Sequence, residues 1–386
     1  MWKATKFLGE WRRLPAGFPS FGETARIEWR AGRIADPVER LRYLRRRMVQ
    51  PKRRDFQGFG FIAVPLMIAV LAARSPTGSA ETIERERGLA VPRAGSAAAS
   101  MPPHVWLIEK TEAAEVYSNG LRIDRTFLTS NRPRARFPVY SLAGASVPVK
   151  YGDAPVGIVY HTTESLVPPF EEDQNHKLQR LGRNLLEVVR SERAYHFVID
   201  RFGRVYAVVV ETDAANHAGN SIWADAEGIY INLNDSFLGI SFEAQTGAAD
   251  AVTPAQIQAA KVLTEALRSR YQIPAENCVT HAQVSVNPLN MKVGAHTDWA
   301  GDFPFAKIGL PNNYSIPLAS IYAFGFDADE VYERMVGMNF GGVALARAQI
   351  ERQAEAQNTP AAQYRAILRH RYKDIETELK QNEGGN

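Results

Sequence analysis

From Gly157 to His281 the chain alternates short apolar runs with helix-length amphipathic stretches, and that order limits the folds open to it. GIVYH (157–161) is a short apolar strand, and HKLQRLGRNLLEVVRSER follows with Leu178, Leu181, Leu185 and Val188 spaced for one helical face. FVIDRFGRVYAVV (197–209) places two β-rich runs around Asp-Arg-Phe-Gly, which predicts a hairpin. FLGISFEAQ (237–245) is a further strand, with Ile240, Phe242 and Ala244 on one face and Ser241, Glu243 and Gln245 on the other. TPAQIQAAKVLTEALRSRY opens with Thr253 as N-cap, Pro254 at the first helical position and Gln256 completing a capping box. CVTH (278–281) then returns as a strand. The order β, α, hairpin, β, α, β implies an α/β fold, a mixed central β-sheet flanked by helices.

The flanks differ in kind. Residues 105–154 hold short β-like runs (VWLIE, RTFLT, PVYSL, VPVKY) and read as a small β extension of a main domain at 155–311. Residues 312–386 read as a C-terminal helical extension. It includes the alanine-rich GGVALARAQIERQAEAQ and a stretch restarted by Thr359-Pro360. Residues 74–104 are rich in Ala, Ser, Gly and Pro and read as a linker.

Phe56 to Ala73 carries no charge across 18 positions, which is near the lower end of the roughly 17–25 residues of a membrane-spanning helix. Residues 1–55 hold 15 Lys+Arg against 6 Asp+Glu, a surplus of +9 within a net charge of +4, so the rest of the chain sums to −5. By the positive-inside rule 1–55 is a basic cytoplasmic segment, 56–73 a transmembrane anchor, and the body lies outside. A cleaved signal peptide, with GSA at 78–80 as the cleavage site, and a buried soluble helix are the competing readings. A mildly acidic body argues against a nucleic-acid partner. The single cysteine, Cys278, excludes an intramolecular disulfide and a CxxC metal site, and reads as a small buried residue.

THAQVSVNPLNMKVGAHTDWAGDFPF (280–305) shows neither a helical nor a strand period, yet it holds His281, His296 and Asp298. His161 ends one apolar strand and His281 another, so two imidazoles at one sheet edge can converge. An aspartate from the loop beyond would complete three protein ligands, and three ligands with an open position is the pattern of catalytic zinc.

Five segments in order carry a resemblance to a known family: VYHTTES, YHFVIDRFGRVY, NHAGNS, LGISFEAQTG and VTHAQ…HTDWAGDFPF. Over roughly 155–310 the chain resembles the zinc-dependent N-acetylmuramoyl-L-alanine amidases of the Amidase_2 type, which include T7 lysozyme-like amidases and peptidoglycan recognition proteins. The resemblance implies Zn²⁺ held by His161, His281 and Asp298. It implies a peptidoglycan or muropeptide substrate, cut between N-acetylmuramic acid and L-alanine by zinc-activated water. Tyr195 matches a catalytically important tyrosine of the T7-like branch. His296 stands where a lysine is common, as oxyanion donor and acid, with Glu243 as a second candidate for water activation. His217 and Asn220 fall where glycan or peptide would be contacted, whereas His196 reads as structural. Three features depart from the family pattern: the long 281–298 connection, His296 itself, and Ser241 where some members carry a glutamate. An alternative ligand set has His296 on the metal and Asp298 orienting it. A non-catalytic peptidoglycan-binding module on the same fold is the alternative function. The resemblance and the anchor together imply an inner-membrane protein with its amidase domain in the periplasm.

Overall fold

A computed structural model of the chain describes residues 104–383, apart from 143, 145, 248–251 and 337–340. The basic segment, the apolar run and most of the linker lie outside the described residues. Among those described, no helix is long and apolar enough to cross a membrane.

The strands are β1 (Leu107–Lys110), β2 (Ala114–Tyr117), β3 (Arg122–Asp124), β4 (Phe137–Tyr140), β5 (Pro148–Gly152) and β6 (Gly157–Thr162). They continue with β7 (Phe197–Ile199), β8 (Val205–Ala207), β9 (Ile222–Asp225), β10 (Gly228–Ile231), β11 (Phe237–Phe242) and β12 (Cys278–Thr280). The helices are α1 (Asn175–Glu192), α2 (Pro254–Tyr271), α3 (His281–Val284), α4 (Ala319–Tyr322), α5 (Glu330–Val336), α6 (Gly341–Ala356) and α7 (Ala361–Glu383).

An eight-stranded mixed sheet runs in the order β1-β2-β3-β8-β7-β11-β6-β12. Its inner part, β7-β11-β6-β12, is parallel throughout, with Ser241 beside His161 and Thr280 beside Tyr160. Every residue of β6 and β11 is buried, as parallel strands covered on both faces must be. One face packs against α2: Ile158, Tyr160, Ile240 and Phe242 share a core with Ala260 and Leu263. The Tyr160 hydroxyl lies 2.7 Å from Thr264 Oγ1 on that helix. On the other face, Val159, Phe237 and Val279 meet Phe137, Trp223 and Tyr230 of a second sheet ordered β5-β4-β10-β9. The same face also receives α1, whose Leu186 and Val189 pack on Val198 and Tyr206. Strand alternation puts His161 on this second face.

The local signals at α2 form as read. Thr253 Oγ1 accepts from Gln256 N at 3.1 Å, and Gln256 Oε1 accepts from Thr253 N at 3.0 Å. Gln256 Nε2 also donates to the carbonyls of Ile199 and Glu243, tying the helix start to the ends of β7 and β11. The hairpin turns at Asp200, whose Oδ1 accepts from the amides of Phe202 and Arg204.

Several expectations change. The buried stripe of α1 is Leu178, Gly182, Leu186 and Val189, while Val188 is exposed. Gly182 lies on the contact line beside the Glu243 carboxylate, and Leu186 and Val189 rather than Val188 face Val198 and Tyr206. Within residues 105–154, β1–β3 extend the main sheet and β4–β5 belong to the second one. His281 opens the turn α3, rather than closing a strand, because Thr280 and Gln283 form a capping box around it. The aperiodic connection after it folds as a hairpin, Val286–Asn287 against Lys292–Val293, to which Asp327–Ala328 adds a parallel strand. That third strand comes from the C-terminal region, so no period within 280–305 could reveal it. Phe324, Phe326, Tyr332, Leu368, Tyr372 and Ile375 belong to the same core as β6 and α2.

Candidate metal centre

His161 is the penultimate residue of strand β6, paired with Ser241 of β11 and next to Tyr160, which pairs with Thr280 of β12. His281 enters one residue past β12, and the Asp298 carbonyl accepts from Ala282 N at 3.2 Å, which returns the loop to the start of α3. Asp298 Oδ2 lies 3.2 Å from His161 Nδ1, and Asp298 Oδ1 lies 3.0 Å from His281 Nδ1. All three side chains are buried, and their ligand atoms lie within 4.8 Å of one another.

The electrostatics suit a cation. Burial, followed by the neighbouring His281, pushes His161 down to about 4, against the opposing pull of Asp298. Burial alone would raise the Asp298 carboxyl, but His281 and His161 outweigh it and hold the group well below the usual carboxylate range. The centre therefore presents an ionised carboxylate beside an uncharged imidazole at neutral pH. His281 Nε2 is buried with no hydrogen-bond partner. Two imidazoles and one carboxylate, sequestered and facing one another, are a donor set that zinc accepts.

The other expected residues divide into three groups. Tyr195 and His296 reach the centre. The Tyr195 ring centroid is 5.0 Å from that of His161, and its hydroxyl lies near Ser241. Burial and then the Asp298 charge raise the Tyr195 phenol, so it stays a protonated donor. Tyr195 adopts a left-handed backbone, φ 59°, a local strain of about 1–3 kcal/mol of the kind that collects at functional sites. The His296 ring stacks on His281 with centroids 4.3 Å apart and planes 20° from parallel. Asp298 rather than His296 completes the close group, so the alternative ligand set finds no support in this geometry.

Glu243 does not join the centre. Its Oε2 accepts from Arg201 N at 3.1 Å, and the carboxylate lies against Gly182 of α1. Burial raises its pKa, but the strand advances past the His161–His281–Asp298 group over the two residues that separate it from Ser241. His217 differs from expectation as well. Its Nδ1 is 3.2 Å from His161 Nε2 and its Nε2 donates to the Phe237 carbonyl at 3.2 Å, so both ring nitrogens are engaged inside the protein. Asn220 is exposed and its carbonyl accepts from Val286 N, which places it beside the hairpin. His196 is fully buried, with Nδ1 accepting from Gly239 N and Nε2 donating to the Asp213 carbonyl. Cys278 is buried and its thiol is pushed up to about 12 by burial, leaving it inert.

Two supporting residues escaped the sequence reading. Asn234 Oδ1 accepts from the amides of His217, Ala218 and Gly219, fixing the turn that carries His217. Ser285 Oγ accepts from His296 N and donates to the His296 carbonyl, bracketing that residue. A serine eleven residues before a histidine has no sequence signature; the Asn in NLND had only a weak turn signal.

Comparison with known proteins bears on the same segment. Residues 151–300 match the family model Amidase_2, N-acetylmuramoyl-L-alanine amidase. Over 89 residues the chain is 36% identical to the N-acetylmuramoyl-L-alanine amidase AmiD of Escherichia coli (strain K12), a match covering 21% of this chain and 31% of that one. The matched part thus spans about a third of the length of that relative. Among solved structures, that of AmiD from E. coli with the substrate anhydro-N-acetylmuramic acid-L-Ala-D-gamma-Glu-L-Lys is 20% identical, with TM-score 0.34, covering 63% of this chain and 98% of that one. AmpDh3 from Pseudomonas aeruginosa, in complex with anhydromuramic pentapeptide, is 22% identical, with TM-score 0.31, covering 44% of this chain and 64% of that one. With the ordered motifs and the His161–His281–Asp298 centre lying inside the matched segment, the chain carries, over residues 151–300, a domain of the N-acetylmuramoyl-L-alanine amidase family.

Proposed function

We propose that this protein is a zinc-dependent peptidoglycan amidase that hydrolyses the amide between N-acetylmuramic acid and L-alanine of the stem peptide. The observation that carries the reading is the buried group His161, His281 and Asp298, with ligand atoms within 4.8 Å of one another in a domain of this family. A bound zinc ion would supply a water acidified to near neutral pKa and a Lewis acid for the amide carbonyl.

The chain's own residues do the rest. Asp298 contributes the negative charge and His161 an uncharged nitrogen, so the donor set is ready at neutral pH. Tyr195 holds its proton and can donate a hydrogen bond to the oxygen on which charge develops. His296 lies flat on His281 and only half-buried, so it can hand a proton to the departing amine of L-alanine. Asn220, exposed beside the hairpin, suits contact with glycan or peptide. Export by the 56–73 segment, with the body in the periplasm, is the localisation that such a substrate requires.

The test is incubation of the purified full chain with peptidoglycan, with and without chelator, followed by mass analysis of the released material. Free stem peptides beginning at L-alanine, lost on chelation and restored by zinc, are the expected result. Binding without release would instead assign a recognition module, and release that survives chelation would remove zinc from the reading.

A further inference from the structure

We infer that His217 is a positioning residue for the metal centre, selecting through a hydrogen bond which nitrogen of His161 faces the metal. The inference rests on the zinc reading above. A carbonyl oxygen can only accept, so the 3.2 Å contact between His217 Nε2 and the Phe237 carbonyl puts the His217 proton on Nε2. In the uncharged ring Nδ1 is then bare, and its 3.2 Å neighbour, His161 Nε2, is the donor. His161 with its proton on Nε2 presents a lone pair at Nδ1, and Nδ1 is the atom 3.2 Å from Asp298 Oδ2. A chain of two hydrogen bonds thus runs from the β11 backbone to the ligand atom. It orients the imidazole and raises its basicity, as partners of metal-bound histidines do.

Two features outside that chain show that the arrangement is built. Position 239 on β11 has no side chain, and a Cβ there would come 2.6 Å from His217 Cγ, so the glycine makes the seat for the ring. The His217 backbone is held in turn by Asn234 Oδ1, which accepts from three successive amides. The His161 and His217 rings meet edge to face, 5.3 Å between centroids and 85° between planes.

Zinc affinity of the full chain, measured by competition with a chromophoric chelator, tests the inference with His217→Asn and His217→Phe. Asparagine places an amide oxygen near the position of Nδ1 and can still accept; phenylalanine fills the volume and cannot. The Phe variant should weaken zinc binding about 10- to 100-fold, and the Asn variant much less. Wild-type affinity in the Phe variant, or equal losses in both variants, overturns the inference. A wild-type chain that binds no zinc overturns the zinc reading along with it, and is told apart by that control alone. Ring-nitrogen NMR of zinc-loaded, ¹⁵N-histidine-labelled wild type needs no variant. It should show the His161 proton on Nε2; a proton on Nδ1 overturns the inference even where a variant fails to fold.

Discussion

The two halves of the candidate site are held by different means. His161 sits within parallel strands buried on both faces, and its position follows from backbone ladders to β11 and β12. His296 sits on a connection that no ladder of the main sheet touches. It is held by Ser285 on both sides of its peptide, by the short hairpin, and by elements from the C-terminal region. Asp327 pairs beside Lys292 in the added strand and is gripped by Arg365 and Arg369 of α7, the latter at 2.6 Å. The ring of buried Tyr332 packs where any Cβ at Gly294 would stand, in a left-handed turn with φ 80°. His161 is therefore placed by the sheet, whereas the connection that carries His296 and Asp298 is braced by residues some thirty to eighty positions downstream. Damage to one half should leave the other measurable.

The largest effect should come from the three grouped side chains, His161, His281 and Asp298. His281→Ala should take zinc from about one per chain to near zero and abolish activity with it, as read by metal analysis and amidase assay on the same sample. Asp298→Asn should do the same in weaker form. Full zinc occupancy in His281→Ala would break the comparison at its root.

Next in size is His296→Ala. It should lower kcat by roughly a hundredfold while zinc stays bound, since it removes a proton donor and not a ligand. Loss of metal from this variant would merge the two halves and revive His296 as a ligand.

Acid should find the sheet-borne half first. His161 is pushed down to about 4 and His196 to about 3, both chiefly by burial, while the unfolded chain's histidines take protons near 6.5. The unfolded state thus binds more protons below 6.5. The stability these groups contribute is complete above that pH and is lost as pH falls through about 4 and then 3. Asp298, also depressed, adds to the loss only below its ordinary value of 3.8. The melting temperature of the metal-free protein should therefore fall progressively from pH 6.5 to 4, and a flat profile would show these imidazoles to be solvated.

The smallest effect should come from the C-terminal grip. The Asp327 pairs with Arg365 and Arg369 are partly exposed, so each is worth no more than about 1 kcal/mol. Arg365→Ala with Arg369→Ala should lower the melting temperature by a few degrees, on the order of 2–4 °C per kcal/mol. Zinc content should not change, whereas kcat should drop a few-fold as His296 loses its support. Equal loss of zinc and rate would show that the hairpin also braces the ligands.

Much of the sheet-borne half is legible along the chain because its determinants are local. The unbroken apolar runs of GIVYH and FLGISF call for buried strands, Thr253-Pro254 with Gln256 starts a helix, and the resemblance carried by the ordered motifs points to His161, His281 and Asp298. Period-based reading fails where a partner is remote. Which face of α1 is buried depended on its packing against Val198 and Tyr206 of a hairpin later in the chain. Whether Glu243 could reach the metal depended on how far β11 runs past His161. His217 read as a substrate contact because NHAGNS does not show that the ring folds back over Gly239 onto Nε2 of a ligand. The 281–298 connection read as structureless because its third strand lies at Asp327–Ala328. The sequence by itself determined the order of elements, the family of residues 151–300 and the chemical types gathered at the centre, since these depend on neighbours in the chain. Only the tertiary structure decided which nitrogen of each histidine faces its neighbours, which carboxylate takes part, and what holds His296, because hydrogen bonds across tens of residues leave no period to read.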